Sequence, residues 1–189
     1  GQCDKGRRSA ELEVSVIALL AYFALICYDL SSKSVLRRGW IMQFLNTDFL
    51  ESEEIKLVVD QLVEGDPERN WVPAYRFHIC DLHGNRMGTC ALRIGYNDGL
   101  YYVGHIGYSI HEKYRGCHYA AKACKLLFLL AKKHDMSYLY ITCDPDNLPS
   151  RRTCEYLQGE FLGVVELPED NDMKINDGKT HMCIFKFNL

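Results

Sequence analysis

The feature that most constrains the fold of this chain is a change in the spacing of apolar residues between residues 101 and 143. Tyr101–Ile110 alternates as a strand does. From Tyr119 to His134 the apolar residues recur every three or four positions, which predicts an amphipathic helix, and Tyr138–Cys143 is again strand-like. A strand, a helix and a strand in direct succession predict a β-α-β unit with parallel strands.

A helix and two strands are predicted on the amino-terminal side of this unit. The apolar spacing over residues 47–64 is helical, with Thr47 or Asp48 as the N-cap. The two strands, Ala74–Leu82 and about Arg86 to Ile94, flank a hairpin turn at His83-Gly84-Asn85. Together with Tyr101–Ile110 they predict an antiparallel meander.

A helix and two strands are also predicted on the carboxyl-terminal side. Ser150 is the predicted N-cap of a helix that reaches about Leu157. Phe161–Leu167 and His181–Phe187 have strand patterns and flank a polar loop, Pro168–Thr180. The predicted fold class is therefore α/β, with a mixed sheet in the α+β manner and flanking helices.

Charge and cysteine usage limit the classes of partner. The chain has 189 residues and a formal net charge of −3, which supplies no broad basic field for nucleic acid or an anionic membrane. Its nine cysteines include no Cys-x-x-Cys pair, so a metal site is not indicated. Scattered single cysteines are typical of reduced thiols, which favours a cytoplasmic location.

The segment Val14–Tyr28 is almost purely apolar. It is shorter than the run of about 20 residues that spans a bilayer, so a buried or self-associating helix is favoured over a membrane anchor. Residues 1–38 are accordingly interpreted as an apolar helical extension and residues 39–189 as the functional domain. Such an extension makes a homodimer plausible.

The stretch between the predicted strand end at Ile110 and the helix start at Tyr119 contains Arg115-Gly116. A helix that starts after a short loop presents unpaired backbone N–H groups and the positive end of its dipole, which together suit a pyrophosphate. Most helices that follow strands bind nothing, so the loop alone leaves both interpretations open.

Two blocks of residues resemble the signatures of the GNAT acyltransferases. Arg115-Gly116-Cys117-His118-Tyr119-Ala120 is similar to Arg/Gln-x-x-Gly-x-Gly/Ala; it matches at Arg115 and Ala120 and has His118 where the family usually has glycine. Downstream, Asn147-Leu148-Pro149-Ser150, followed by Glu155, Gly159 and Phe161, resembles Asn-x-x-Ser…Glu-x-x-Gly-Phe with two extra residues. The resemblance covers about residues 42–189.

This resemblance implies a GNAT-like fold and an N-acetyltransferase that uses acetyl-CoA. The acceptor it implies is a primary amine on a small molecule, a protein N-terminus or a lysine. A CoA-binding regulatory module without catalysis is the alternative, motivated by His118. The residues implied to bind the cofactor are Tyr108, Ser109, Ile110, Arg115, Gly116, Cys117, His118, Tyr119, Ala120, Ala121, Asn147 and Ser150.

Catalytic roles follow from the same resemblance. His105 stands where relatives often place a glutamate base, although a histidine merely packed on the sheet is the alternative. The position of the tyrosine that many relatives use as an acid falls on Cys154, with Tyr156 two residues further on. Packing is the alternative role for a single buried cysteine such as Cys154.

Overall fold

The computed structural model describes residues 42–189. The apolar segment 14–28, the extension over residues 1–38 and the homodimer inferred from them depend on residues outside this range, and the domain boundary after residue 38 stays a prediction. The strands are β1 (Ile55–Val63), β2 (Ala74–Asp81), β3 (Arg86–Arg93), β4 (Ile106–Ile110), β5 (Tyr138–Cys143), β6 (Glu160–Glu166) and β7 (His181–Asn188). The helices are α1 (Gly99–Val103), α2 (Tyr119–Lys133), α3 (Leu148–Tyr156) and α4 (Asp172–Asp177), with 3₁₀ turns at Pro67–Arg69 and Glu112–Tyr114.

The strands form one seven-stranded sheet in the order β1-β2-β3-β4-β5-β7-β6. Neighbours from β1 to β4 are antiparallel, β4 and β5 are parallel, and β5, β7 and β6 are antiparallel. The predicted meander, the β-α-β unit and the mixed α/β class are confirmed.

The helix predicted over residues 47–64 is wrong, because its second half is strand β1. The segment Ile55–Val63 pairs antiparallel with β2. Ile55 and Leu57 are buried and Lys56 between them is not, which is the alternation of a strand. The run is rich in β-branched residues that suit a pleated surface, and pairing with β2 outweighs a local spacing that also fits a helix.

The strand predicted over Tyr101–Ile110 is wrong in its first half. Gly99–Val103 is helix α1, and Gly104, with φ of +79°, turns the chain into β4. At that point a Cβ on residue 104 would lie 3.1 Å from the backbone nitrogen of Thr142, so both the turn and the close approach favour glycine.

Two smaller predictions on the carboxyl-terminal side also change. Asn147, not Ser150, caps α3, and its Oδ1 accepts a hydrogen bond from the backbone N–H of Ser150 at 3.2 Å. The polar loop predicted over residues 168–180 contains α4, which is capped by the side chain of Asn171. Both caps use the shortest amide side chain, which bonds its own backbone readily.

Helix α2 packs against one face of the sheet through side chains spaced three and four apart. The core joins Ala123, Cys124, Leu127, Leu130 and Ala131 of α2 to Tyr75, Phe77, Leu92, Ile106, Ile141 and Phe185 of the strands.

Among residues 42–189, no helix has the length and apolar character needed to cross a membrane.

The opposite face of β1 to β4 is called the open face here. Successive residues of a strand point to opposite faces, so this face carries the residues that alternate with the buried core. In cross-strand register it forms two rows, Val58-His78-Thr89-Ser109 and Arg76-Ala91-Gly107, with Arg93 further along β3.

Candidate functional site

A cleft opens where the parallel strands β4 and β5 separate. Ile106 and Ile141 are their one pair of register partners, and the strands diverge towards their carboxyl ends. The space has a volume of about 580 Å³. Its lining consists of Tyr108, Ser109, Ile110, Tyr114, Arg115, Gly116, His118, Tyr119, Ala120, Asn147, Pro149, Ser150, Arg152 and Thr153.

One wall of the cleft is a row of backbone amides at the start of α2. Within residues 42–189, the N–H groups of residues 116 to 121 have no hydrogen-bond acceptor, and the first helical bond runs from the N–H of Lys122 to the carbonyl of His118. Aligned peptide dipoles add a partial positive charge at this end of a 15-residue helix. This wall therefore suits an anion.

The loop before α2 depends on two residues with positive φ. Gly116 has φ of +86° and His118 has φ of +58°, a left-handed conformation that costs a non-glycine residue about 1 kcal/mol. His118 is exposed, and its ring stacks on Tyr156 with centroids 4.4 Å apart. The histidine thus adopts a left-handed backbone conformation that glycine favours, with its side chain turned onto α3. Arg115 braces the loop by donating from Nε to the carbonyl of Ile110 at 3.2 Å.

The edge of β4 forms a second wall. Residues Gly88 to Leu92 of β3 pair with this strand on one side, while on its other side no strand within residues 42–189 pairs with it beyond Ile106. The hydroxyl of Tyr108 lies 2.9 Å from Oγ of Ser150 and so joins β4 to α3 across the cleft. Burial raises the pKa of Tyr108 above its ordinary range, so this hydroxyl stays protonated at neutral pH.

The structure brings together nearly all the residues predicted to bind a cofactor. Every one of them lines the cleft except Cys117, which is exposed on the loop, and Ala121, whose side chain is buried under α2. Their roles as ligands stay a prediction. The sequence did not single out Tyr114, Pro149 or Thr153, whose places at the rim become visible once β5 and α3 are assembled.

His105, the predicted base, is fully buried at the junction of α1 and β4. Its Nδ1 accepts a hydrogen bond from the N–H of Tyr140 at 3.0 Å, and its Nε2 lies 3.2 Å from the carbonyl of Gly95, to which it donates. Both ring nitrogens are therefore occupied. This environment favours the packed alternative, while the catalytic role of His105 stays a prediction.

Stability should depend on pH through His105. Burial lowers its pKa to about 4, and the charge of Arg93 acts in the same direction. An unfolded chain takes up this proton near pH 6.5, so the contribution of the neutral ring is complete above pH 6.5 and is lost as pH falls towards 4. Between pH 7.5 and pH 5 we expect a loss of about 2 kcal/mol in the free energy of unfolding. Urea titrations at both pH values measure this loss.

The control for this pH effect is His105→Gln, which cannot titrate. The variant should be less stable at pH 7.5, because it keeps at most part of the pairing with Tyr140 and Gly95. Its loss between the two pH values should be about 2 kcal/mol smaller than that of the unmodified protein. Equal losses in both proteins would contradict a buried neutral imidazole.

The two residues predicted as candidate acids lie in different environments. Cys154 is fully buried, and burial raises the pKa of its thiol to about 12. Tyr156 is 53 % exposed, stacks on His118 and lies under the ammonium of Lys125, whose Nζ is 5.6 Å from the ring centroid. Neither side chain lines the cleft, and their catalytic roles stay predictions.

The open face holds a histidine-aspartate pair that the sequence did not indicate. Nε2 of His78 lies 3.0 Å from Oδ1 of Asp60. Asp60 sits at a β-bulge, where the register of β1 on β2 shifts between Val59 and Gln61. A bulge re-aims the side chain of its extra residue and is common next to functional sites. No local sequence signal marks a bulge within a run of strand-forming residues.

Comparison with known proteins gives a family and several structural neighbours. The model of the acetyltransferase (GNAT) domain matches residues 32–159, about two thirds of the chain. No curated protein matches the sequence. A putative ribosomal-protein-serine acetyltransferase from Vibrio cholerae is similar in structure, with 16 % identity, coverage of 77 % of this chain and 100 % of that chain, and a TM-score of 0.53.

Two further structures are less similar. The microcin C7 self-immunity acetyltransferase in complex with acetyl-CoA and AMP shares 19 % identity over 61 % of each chain, with a TM-score of 0.49. The ribosomal-protein-S5-alanine acetyltransferase from Vibrio fischeri shares 18 % identity over 65 % of this chain and 64 % of that chain, also with a TM-score of 0.49. The match spans about three fifths of the length of the microcin enzyme.

Proposed function

Because this chain belongs to the GNAT acetyltransferase family, we propose that it transfers the acetyl group of acetyl-CoA to a primary amine by direct attack. The acceptor amine belongs to a small molecule, a protein N-terminus or a lysine. The observation that carries this proposal is the cleft between β4 and β5, with its row of unpaired amides at the start of α2. The cleft combines an anion site with an unpaired strand edge, and acetyl-CoA requires both.

The cofactor is assigned along the cleft by its chemistry. The pyrophosphate lies against the amides of residues 116 to 121, where the dipole of α2 favours negative charge. The pantetheine arm follows the unpaired edge of β4 at Tyr108–Ile110 and pairs with it as an added strand does. Asn147 and Ser150 border the arm from the α3 side.

The acceptor approaches from the open face at Gly107. A Cβ on residue 107 would meet no atom within 4 Å, so the space above this residue is empty in the part of the chain that the structure describes. The amine nitrogen attacks the thioester carbon there, the carbon-sulfur bond then breaks, and the proton released by the nitrogen passes to a base. The departing sulfur receives a proton or a hydrogen bond.

Two histidines on this side of the sheet are candidates for the base. His105 has both ring nitrogens bonded and a pKa of about 4, which makes it a weak proton acceptor at neutral pH. His78 has one nitrogen held by Asp60 and shares the row that ends on Ser109 of the cleft. His78 is about 10 Å from β4, two strand spacings, so it would receive the proton through water. We assign the base to His78 and keep His105 as the alternative.

Hydroxyl groups in the cleft are the candidates for stabilising the departing thiolate. Tyr108 and Ser150 line the cleft and form a hydrogen-bonded pair. A hydroxyl that stays protonated can donate to a thiolate and thereby lower the barrier to its departure. Cys154 is buried, and this burial raises the pKa of its thiol to about 12. It remains the alternative acid.

A cytoplasmic location is part of the proposal. The described cysteines are all free thiols, including Cys143 and Cys183, which are direct register partners on β5 and β7. Buried free thiols so close together suit a reducing compartment.

Acetyl-CoA should raise the melting temperature of the protein. A ligand that binds only the folded state stabilises it by about 2.7 kcal/mol at a hundredfold excess over Kd. Arg115→Ala should reduce the shift, because it removes the hydrogen bond to Ile110 that braces the amide row. Arg86→Ala is the matched control, since Arg86 is an exposed arginine at the start of β3 and does not line the cleft. Thermal unfolding followed by fluorescence measures the shifts.

Release of free CoA in the presence of amines separates transfer from binding alone. With an amine panel present, CoA release that depends on amine concentration supports the transferase, and His78→Gln should lower the rate at least tenfold with the thermal shift unchanged. A thermal shift without CoA release would favour the regulatory module. No shift at millimolar acetyl-CoA would overturn both functions.

A further inference from the structure

The row Arg76-Ala91-Gly107 of the open face carries its two smallest residues next to the cleft. Ala91 pairs with Gly107 across β3 and β4, and a Cβ on residue 107 would meet no atom of residues 42–189 within 4 Å. Arg76 pairs with Ala91 from β2, so the end of the row away from the cleft carries an arginine. A molecule that reaches the thioester over Gly107 therefore contacts this row.

Arg93 lies beside this row as a partly buried cation. Its Nη1 donates to the carbonyl of Gly104 at 3.3 Å, which holds the guanidinium on the β4 side of the face. None of the ion pairs formed within residues 42–189 involves Arg93. Removing a guanidinium from water without a counter-charge is costly, so this site gains stability when an anion arrives.

A second cation, Arg76, adds to the positive charge near Arg93. Arg76 lies on the same face, diagonal to Arg93 across the β2-β3 pair, and donates to the neutral Oε1 of Gln61 at 3.2 Å. Burial lowers the pKa of Arg93, and the charge of Arg76 lowers it further. The nearby carboxylate of Asp60 is held by His78. Among residues 42–189, Arg76 and Arg93 thus lie on one face of the sheet, and neither forms an ion pair with a carboxylate.

We infer that the acceptor is a primary amine that also carries an anionic group, which Arg93 and Arg76 bind while the amine lies over Gly107. This inference rests on the proposed transfer and names the acceptor class for the same site. The planar fork of a guanidinium matches both carboxylate and phosphate oxygens. Arg76 and Gly107 are separated by two strand spacings, roughly 10 Å, so an anionic group a few bonds from the amine fits between them.

Matched pairs of amines test the inference, because the two members of a pair differ only in the anionic group. The pairs are β-alanine with β-alaninamide, O-phosphoethanolamine with ethanolamine, and hexapeptides with glutamate or glutamine at the second and third positions. We expect the anionic member of at least one pair to have a kcat/KM at least tenfold above that of its neutral partner. The three pairs distinguish a small carboxylate, a phosphate and an acidic peptide.

Substitution of the two arginines tests whether the preference for the anionic amine depends on this surface. Arg93→Met, which keeps the aliphatic stem, should remove the preference for the anionic member while the thermal shift by acetyl-CoA is retained. Arg76→Met, at an exposed position, should reduce the preference at least threefold and serves as the second variant if Arg93→Met does not fold. Arg86→Met is the matched control, because Arg86 is exposed at the far end of β3.

The outcomes separate this inference from the function on which it rests. Equal kcat/KM values within every pair, or a preference that both variants retain, would overturn the anionic acceptor and leave the transferase in place. Acetyl-CoA binding without CoA release for any amine would overturn the transfer, and the inference with it.

Discussion

Ala120→Glu is expected to weaken acetyl-CoA binding at least a hundredfold without destabilising the fold. Ala120 is the second residue of α2 and lines the cleft beside the unpaired amides. A carboxylate there occupies the space for the pyrophosphate and repels it by about 4 kcal/mol per charge pair at 4 Å, at the dielectric of a protein surface. The same carboxylate interacts favourably with the helix dipole, by about 0.3–1 kcal/mol. The affinity for acetyl-CoA should thus fall while the free energy of unfolding rises slightly. Calorimetric titration measures the affinity, and urea unfolding measures the stability.

The isosteric variant Ala120→Gln separates charge from size. It has the shape of the glutamate without its charge, so it should retain most of the affinity that Ala120→Glu loses. If both variants bind acetyl-CoA as the unmodified protein does, the pyrophosphate does not lie at the start of α2. If both lose binding equally, bulk rather than charge closes the cleft.

The parts of this fold that the sequence predicts are those set by neighbours along the chain. The helix at Tyr119–Lys133 has one apolar face, and the turn between β2 and β3 carries Gly84 with positive φ. These signals act over a few residues. The β-α-β unit follows from the same local patterns. A helix that connects two neighbouring strands makes them parallel, and such connections are right-handed in almost all proteins.

The wrong predictions fall in segments whose secondary structure is decided by contacts with residues distant in sequence. The spacing of apolar residues in β1 fits a helix and a strand, and the edge of β2 selects the strand. The turn at Gly104 divides a continuous apolar run because the backbone there passes close to Thr142. Neither partner is near in sequence, so no local window contains the information.

The candidate site divides in the same way. The amide row depends on a loop and a helix start that are contiguous, and the sequence locates both. His105 is hydrogen-bonded to Gly95 and Tyr140, and Cys154 is buried on the inner side of α3. The direction in which each pKa shifts therefore follows only from the assembled structure. His118 stands where the family signature has glycine, and it adopts φ of +58°, a left-handed conformation that favours glycine, with its ring stacked on Tyr156.

Two glycines on neighbouring strands should respond to the same substitution in opposite ways. In Gly88→Ala the new Cβ would lie 2.1 Å from the carbonyl oxygen of Ser109, so β3 and β4 must move apart. We expect a loss of about 3 kcal/mol in the free energy of unfolding and a fall of roughly 6–12 °C in melting temperature. Cofactor binding should fall as well, because β4 supplies one wall of the cleft.

Gly107→Ala is the matched change on β4. Its Cβ would meet nothing within 4 Å, so the stability should be unchanged or rise by about 0.5–1 kcal/mol, as for an alanine that replaces a strand glycine. The methyl group would occupy the space assigned to the acceptor, and we expect kcat/KM for the amine to fall about tenfold while acetyl-CoA still binds. A variant that keeps full kcat/KM would place the acceptor elsewhere than over Gly107.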